Sequence, residues 1–278
     1  MAELAGKVAI ITGGSSGMGA GTAERFVAEG AKVVIADVNQ ELGEELVAKL
    51  GRTVAAFKKT DVADQAQIRE LVAFAVKTFG GLHIMMNNAG ISGIRYQGLL
   101  DNEFADFQKV VGINLLGVMA GTREAGLHMS KNGGGSIINV SSIGGMTSGP
   151  SNFVYGATKA GVIHFSKGAS IALGPHKIRV NVISPGNIET PIMGQMVAPN
   201  LPEAERAQMV KKIREFLIAR QPLAVQGRPE DIAQAALFFA SERSSFVTGN
   251  VMAVDGGMVN GAPETGKGFS EAAKRPNS

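Results

Sequence analysis

Seven short, almost wholly apolar runs recur along the chain with helical patterns between them: KVAII (7–11), KVVIA (32–36), TVAAF (53–57), LHIMM (82–86), SIINV (136–140), IRVNVI (178–183) and NVMAV (250–254). Strands that alternate with helices in this way build a parallel sheet, since each return to the same sheet edge needs a crossover. The runs are continuously apolar, as expected for strands covered on both faces. The pattern predicts an α/β fold: one doubly wound, Rossmann-type parallel sheet of about seven strands with helices on both faces, in a single domain over 1–258. No interior Pro/Ser/Gly-rich linker and no repeat divides it. A long, proline-punctuated, methionine-rich stretch at about 187–222 interrupts the rhythm and reads as a flap over a site. Residues 259–278 lack apolar periodicity and read as a disordered tail.

Composition narrows the function classes. Apolar residues make up 45% and charged residues 18% of the 278. No stretch approaches the roughly 20 uninterrupted apolar residues of a membrane span, and the N-terminus shows no secretory signal pattern, which makes the cytoplasm the expected compartment. With no cysteine, disulfides, thiolate catalysis and Cys-based metal sites are excluded. His83, His128, His164 and His176 form no ligand-spaced pair with a carboxylate, so no metal is expected. The net charge is only +3, and the densest basic group, Lys211, Lys212 and Arg214, alternates with acids on what reads as a solvated helix face; nucleic acid is not indicated.

The first strand run is followed directly by Thr12-Gly13-Gly14-Ser15-Ser16-Gly17-Met18-Gly19 and then by a helical pattern. Glycines at a strand-to-helix turn let main-chain N–H groups at the helix N-terminus approach a pyrophosphate. The spacing is T-G-x-x-x-G-x-G rather than G-x-G-x-x-G. About twenty residues on, Asp37 ends the second run, where a carboxylate accepts hydrogen bonds from both adenosine ribose hydroxyls and repels a 2′-phosphate. Ser15, Ser16, Val38 and Asn39 supply no cation for that phosphate, so the expected cofactor is NAD. Asp61 and Val62, after the third run, either clasp the adenine or cap the next helix.

Tyr155 and Lys159 stand four residues apart in a helical stretch and so share one face. A phenol exchanges a proton with an alcohol or ketone near neutral pH only if a cation stabilises its phenolate, and Lys159 is placed to be that cation. The chain has two tyrosines, Tyr96 and Tyr155. Ser142 lies thirteen residues before Tyr155, with Ser141 as the competing serine.

The turn, Asp37, Asn88-Ala89-Gly90, Asn114, Ser142, Tyr155-x-x-x-Lys159 and Pro185-Gly186 follow one another at distances that resemble the short-chain dehydrogenase/reductase family over residues 5 to about 258. The resemblance implies a catalytic tetrad of Asn114, Ser142, Tyr155 and Lys159. Tyr155 would be general acid/base, and Ser142 would hydrogen-bond the reacting oxygen. Lys159 would lower the tyrosine pKa and hold the nicotinamide ribose. Asn114 would hold a water leading from Lys159 to solvent, or else is a buried asparagine that kinks its helix. Gly13, Ser15, Ser16, Gly17, Met18 and Gly19 would hold the pyrophosphate. Asn88, Ala89 and Gly90 would combine cofactor contact with sheet stability. Pro185 and Gly186 would end the sixth strand, with Ile188 and Thr190 presented to the nicotinamide carboxamide. Val254-Asp255-Gly256-Gly257 would be mainly structural.

The positions expected around the substrate are Ile94, Tyr96, Ile143, Met146, Phe153, Ile192, Met193 and Met196, together with Ser142. This mostly apolar wall suits a hydrophobic or alicyclic secondary alcohol, steroid-like compounds included. Arg95 either neutralises an acidic substrate or is an exposed loop arginine. A 3-oxoacyl-carrier-protein reductase and a noncatalytic NAD-binding regulator are the alternatives. The apolar runs 104–129 and 153–174 match helices that pair in family oligomers, so a homotetramer, or a homodimer, is expected.

Overall fold

The apolar runs become strands because each can bury both faces. In a computed structural model, which describes residues 2–94, 96, 98–149, 152–190 and 202–262, the order is β1 (Val8–Thr12), α1 (Gly17–Ala28), β2 (Lys32–Asp37), α2 (Gln40–Leu50), β3 (Ala55–Lys59), α3 (Gln65–Phe79) and β4 (Ile84–Asn87). Then come α4 (Phe107–Val111), which runs through a π-helical turn (Gly112–Leu116) into α5 (Gly117–Met129), β5 (Gly135–Val140), α6 (Phe153–Leu173), β6 (Ile178–Pro185), α7 (Glu203–Ala219), α8 (Pro229–Ala240) and β7 (Val251–Val254). The strands form one seven-stranded sheet in the order β3-β2-β1-β4-β5-β6-β7, and every pairing is parallel.

Alternate residues of each strand feed two separate cores. Ala9 and Ile11, Val33 and Ile35, and Ile84 and Met86 pack against Phe26 of α1, Val47 of α2 and Ile232 and Phe239 of α8. Ile10, Val34 and Met85 face the other way, onto Leu71 and Ala75 of α3 and Ala125 and Met129 of α5. The doubly wound sheet expected from the apolar runs is therefore present, with strand ends that differ by a residue or two. The largest difference is at β3, which runs from 55 to 59 instead of 53 to 57. As an edge strand it has a neighbour on one side only, so Lys58 and Lys59 extend it with their charges toward water, and Lys58 reaches Glu70 at 3.4 Å. Apolarity does not mark where such a strand ends.

The predicted flap is partly helical: α7 buries none of its side chains, and residues 191–201 of the flap lie outside the described residues. The predicted tail begins within a 3₁₀ turn, Met258–Asn260, and 263–278 also lie outside. No described helix is long and apolar enough to cross a membrane.

A buried polar layer holds α5 and α6 to the middle of the sheet. Asn139 is fully buried; its Oδ1 accepts from Asn87 Nδ2 at 2.8 Å and from the Thr122 hydroxyl at 3.3 Å. Its Nδ2 donates to the Ser166 hydroxyl at 2.9 Å. One side chain thus ties β4, β5, α5 and α6 together, and its loss strands several buried partners. Asn139→Ala is expected to lower stability by about 3 kcal/mol, read as a shift in the urea midpoint without a change in slope; a shift under about a third of that would show that the layer carries no net stability.

Candidate active site

Doubly wound sheets open a crevice where the strand order reverses, beyond the C-terminal strand ends. Here the reversal falls between β1 and β4, and a cavity of about 360 Å³ lies there. Gly13, Ser16, Gly17 and Met18 line it from the first turn, Asp37 and Val38 from the end of β2, and Thr60, Asp61 and Val62 from the end of β3. Asn88, Ala89, Gly90 and Ile91 close it from β4, Val140 and Ser141 from β5, Tyr155 and Lys159 from α6, and Thr190 from beyond β6.

Two glycines of the first turn are required by close approach. Gly13 has φ +60°, and a Cβ on it would stand 2.8 Å from the Cα of Ala89. A Cβ on Gly19 would stand 2.1 Å from the Gly13 carbonyl oxygen. The N-cap of α1, Ser16, makes no side-chain capping bond, so nothing from that side chain competes for the N–H groups of the first helical turn. Asn88 and Ala89 tie the turn after β4 to the turn after β1. Asn88 Nδ2 donates to the carbonyls of Thr12 and Gly13 at 2.9 and 3.0 Å, and the Thr12 hydroxyl accepts from the backbone N–H of Asn88 at 3.0 Å and of Ala89 at 3.2 Å.

Asp37 is oriented before any ligand arrives. Its two carboxylate oxygens accept from the N–H of Ser15 at 3.1 Å and of Asn39 at 3.0 Å. Of the two readings for Asp61, capping is corrected: the N-cap of α3 is Asp64, which accepts from Ala66 N–H at 2.8 Å. Asp61 instead accepts from Ala63 N–H at 2.9 Å in a local turn beside the cavity.

Tyr155 and Lys159 do share one face of α6. The Lys159 ammonium lies 5.6 Å from the centre of the Tyr155 ring and donates to the Val140 carbonyl at 3.0 Å. Lys159 is only 3% exposed, and desolvation lowers its pKa from 10.5 to about 8. The two candidate serines differ in burial. Ser141 is buried and donates to the Lys159 carbonyl at 2.8 Å, anchoring β5 to α6. Ser142 is partly exposed, and its Oγ accepts from Gly144 N–H at 3.0 Å. A Cβ on Gly144 would stand 3.5 Å from the Ser142 Oγ and 3.6 Å from the Tyr155 Cε1, so hydroxyl and phenol ring converge on one spot. Ser142 itself does not line the cavity.

Asn114 occupies the π-helical turn and is fully buried. Its amide bonds the backbone of Ile91 in both directions, accepting at 2.9 Å and donating at 2.8 Å. The side chain is thus committed to the loop after β4. A Cβ on Gly90 would stand 3.3 Å from both Asn114 Oδ1 and Lys159 Nζ, which places the two groups around one bare backbone position.

Not every expected residue reaches the cavity. Ser15, Gly19, Pro185, Gly186 and Ile188 do not line it. A Cβ on Gly186 would stand 2.6 Å from the Cα of Asp255, and Ile188 bridges to Gly227. Ile94 and Met146 are exposed, Tyr96 and Phe153 are partly buried, and none of the four lines the cavity. Arg95, Ile192, Met193 and Met196 lie outside the described residues. Val38, Thr60, Ile91, Ile113 and Val140 line it without having been singled out; most stand one residue from a residue that was.

The lowered pKa of Lys159 makes stability depend on pH with a definite sign. Below pH 8 the folded chain holds a desolvated cation. Between about pH 8 and 10.5 the folded state releases a proton that the unfolded state keeps, so the penalty fades as pH rises. Lys159→Met is expected to be more stable than the unaltered protein by about 2–3 kcal/mol at pH 6, the gap closing toward pH 10.5. Equal midpoints at both pH values would contradict the assignment.

A family model described as Enoyl-(Acyl carrier protein) reductase matches residues 13–259. The 2,5-dichloro-2,5-cyclohexadiene-1,4-diol dehydrogenase LinX of Sphingobium indicum is 40% identical over 257 residues, 92% of this chain and 97% of that protein. The 3-oxoacyl-[acyl-carrier-protein] reductase FabG of Thermotoga maritima is 39% identical over 260 residues, 92% and 99% of the two chains. A 3-alpha-(or 20-beta)-hydroxysteroid dehydrogenase of Mycobacterium tuberculosis is 37% identical over 274 residues, 99% and 97% of the two. The crystal structure of levodione reductase superimposes with a TM-score of 0.83 at 31% identity, over 92% of this chain and 99% of the other. With the match running from the glycine-rich turn to beyond β7, the chain belongs to the short-chain dehydrogenase/reductase family, whose members are oxidoreductases using nicotinamide cofactors.

Proposed function

We propose that the chain is an NAD-dependent dehydrogenase that interconverts a hydrophobic or alicyclic secondary alcohol and its ketone. The observation that carries this reading is the Lys159 ammonium, desolvated and 5.6 Å from the Tyr155 ring, in a cavity that Asp37 also lines. The residues present fit a dinucleotide. The α1 N-terminus, with no side-chain cap, suits the pyrophosphate, and the pre-oriented Asp37 carboxylate suits an unphosphorylated adenosine ribose. Thr190 stands at the cavity wall where a carboxamide would be held. When bound, the nicotinamide accepts or supplies the hydride.

The protein's own residues manage the proton. Tyr155 gives a proton to the ketone oxygen or takes one from the alcohol, and the nearby Lys159 charge stabilises its phenolate. The Ser142 hydroxyl, convergent with the phenol ring, donates to the same oxygen as charge builds on it. Asn114, its side chain held by Ile91, fixes the loop beside Lys159 and leaves its main chain to hold a water on the way to solvent. Relatives whose names specify a cyclohexadiene diol and hydroxysteroids support an alicyclic substrate. A homotetramer, or a homodimer, in the cytoplasm completes the proposal. The outer faces of α4–α5 and α6 expose Phe107, Leu127 and Ile171, with Phe104 exposed just before α4, which suits a self-complementary contact.

The FabG relative favours a second reading, reduction of a 3-oxoacyl thioester, for which NADPH would be the expected reductant. Asp37 weighs against it. Purified protein should reduce NAD with members of a panel of alicyclic secondary alcohols at alkaline pH. Tyr155→Phe should lower that rate by about 100- to 10,000-fold while NAD binding persists; an unimpaired Phe variant would refute the proton-transfer assignment. Asp37→Ala should weaken NAD binding by about tenfold or more and narrow the preference over NADP. Turnover of acetoacetyl thioesters with NADPH, and of no alcohol with NAD, would instead establish the second reading.

A further inference from the structure

The opposite end of the sheet carries a second concavity, which the proposed oxidoreductase chemistry does not use. A cleft of about 800 Å³ lies at the N-terminal ends of β1, β4, β5 and β6. Lys7 borders it just before β1, His83 just before β4, Lys177 just before β6, and Arg179 within β6; Glu242 is the single acid among the described residues lining it. Glu242 is itself 87% exposed and reaches Lys7 only at 3.8 Å, a contact too solvated to neutralise the lysine. Arg179 is fixed in place, donating to the Ser244 hydroxyl at 2.7 Å and the Ser241 carbonyl at 3.3 Å.

The floor of the cleft is built to hold its shape. Gly133 and Gly134 have φ of +90° and +96°, and a Cβ on Gly134 would stand 2.3 Å from the Lys177 carbonyl oxygen. The glycine loop therefore lies directly on the Lys177 backbone, which is itself left-handed at φ +59°. His83 Nδ1 accepts from Val8 N–H at 3.0 Å, so the neutral ring carries its proton on Nε2 and has a donor to give. Burial first, then the charges of Lys7 and His128, lower the His83 pKa.

We propose that this cleft is a second ligand site, for a compact multivalent oxyanion bearing phosphate or carboxylate groups, held by Lys7 and Lys177 over the Arg179 guanidinium with His83 as a hydrogen-bond donor. Two ammonium groups beside a guanidinium held by hydrogen bonds suit a ligand with more than one charged group. Burial, and after it the Lys7 charge, disfavour the His83 cation; an anion bound beside the ring favours that cation, so binding and His83 protonation favour each other.

Pyrophosphate and citrate are the probes, each titrated at constant ionic strength with sodium chloride as the control. The readouts are the unfolding midpoint and the pH titration of the His83 ring proton by NMR. Either anion should raise the midpoint saturably and move the His83 titration to higher pH, and NADH should not compete. In the Lys7→Gln/Lys177→Gln variant the apparent affinity should fall by about tenfold or more, while NADH binding and alcohol turnover stay unchanged. The response to pyrophosphate against that to citrate tells which oxyanion chemistry the cleft prefers. An unmoved His83, stabilisation that survives the double substitution, or displacement by NADH would overturn the proposal, the last by placing the anion at the glycine-rich turn instead.

Discussion

The parallel pairing of β1 with β4 is the constraint on which the rest of the site depends. Once those strands lie side by side, the crossovers before and after them must leave the sheet on opposite faces, and a crevice opens at their C-terminal ends. The Thr12 hydroxyl and the Asn88 amide close the seam between the two turns. Gly13 and Gly19 then let the first turn settle against Ala89 with no side chain intervening. The groove is thus a consequence of strand order, with small residues keeping it clear.

Against that groove the fold holds a cation at an energetic cost. Lys159 is placed among apolar and backbone groups, with one carbonyl to receive its ammonium, and its lowered pKa records the desolvation. What keeps it there is the framework around it. Ser141 bonds the carbonyl of the same residue, and a Cβ on Gly145 would stand 2.6 Å from that residue's carbonyl carbon, so the turn after β5 and helix α6 are fitted backbone to backbone. Deeper down, Asn139 bonds Ser166 of the same helix. The cost of a buried charge is thus balanced by hydrogen bonds and close packing a few residues away.

Much of this was legible in the linear order of residues. Apolar runs reveal the strands because a strand covered on both faces carries few polar side chains, and those it has, such as Asn139, must find buried partners; β3, whose bounds differ most, is an edge strand that escapes this rule. The glycine-rich turn, Asp37 and the Tyr155/Lys159 spacing were readable because each is local: a turn, a strand end and one helix face. Residues whose role depends on a partner far along the chain were not. Nothing in the neighbourhood of Asn114 announces that its amide is spent on Ile91, twenty-three positions away. Ile113 and Val140 line the cavity because separate elements converge there, not because of any pattern around them.

The sequence by itself determined the sheet, its parallel sense, the glycine-rich turn and the placing of Tyr155 and Lys159 on one helix face, since periodicity and short spacings encode these. Tertiary structure alone decided which serine stays accessible, how deeply Lys159 is desolvated, and that a basic cleft forms at the far end of the sheet. Burial and electrostatic field are sums over residues brought together from distant parts of the chain, and no local stretch contains them.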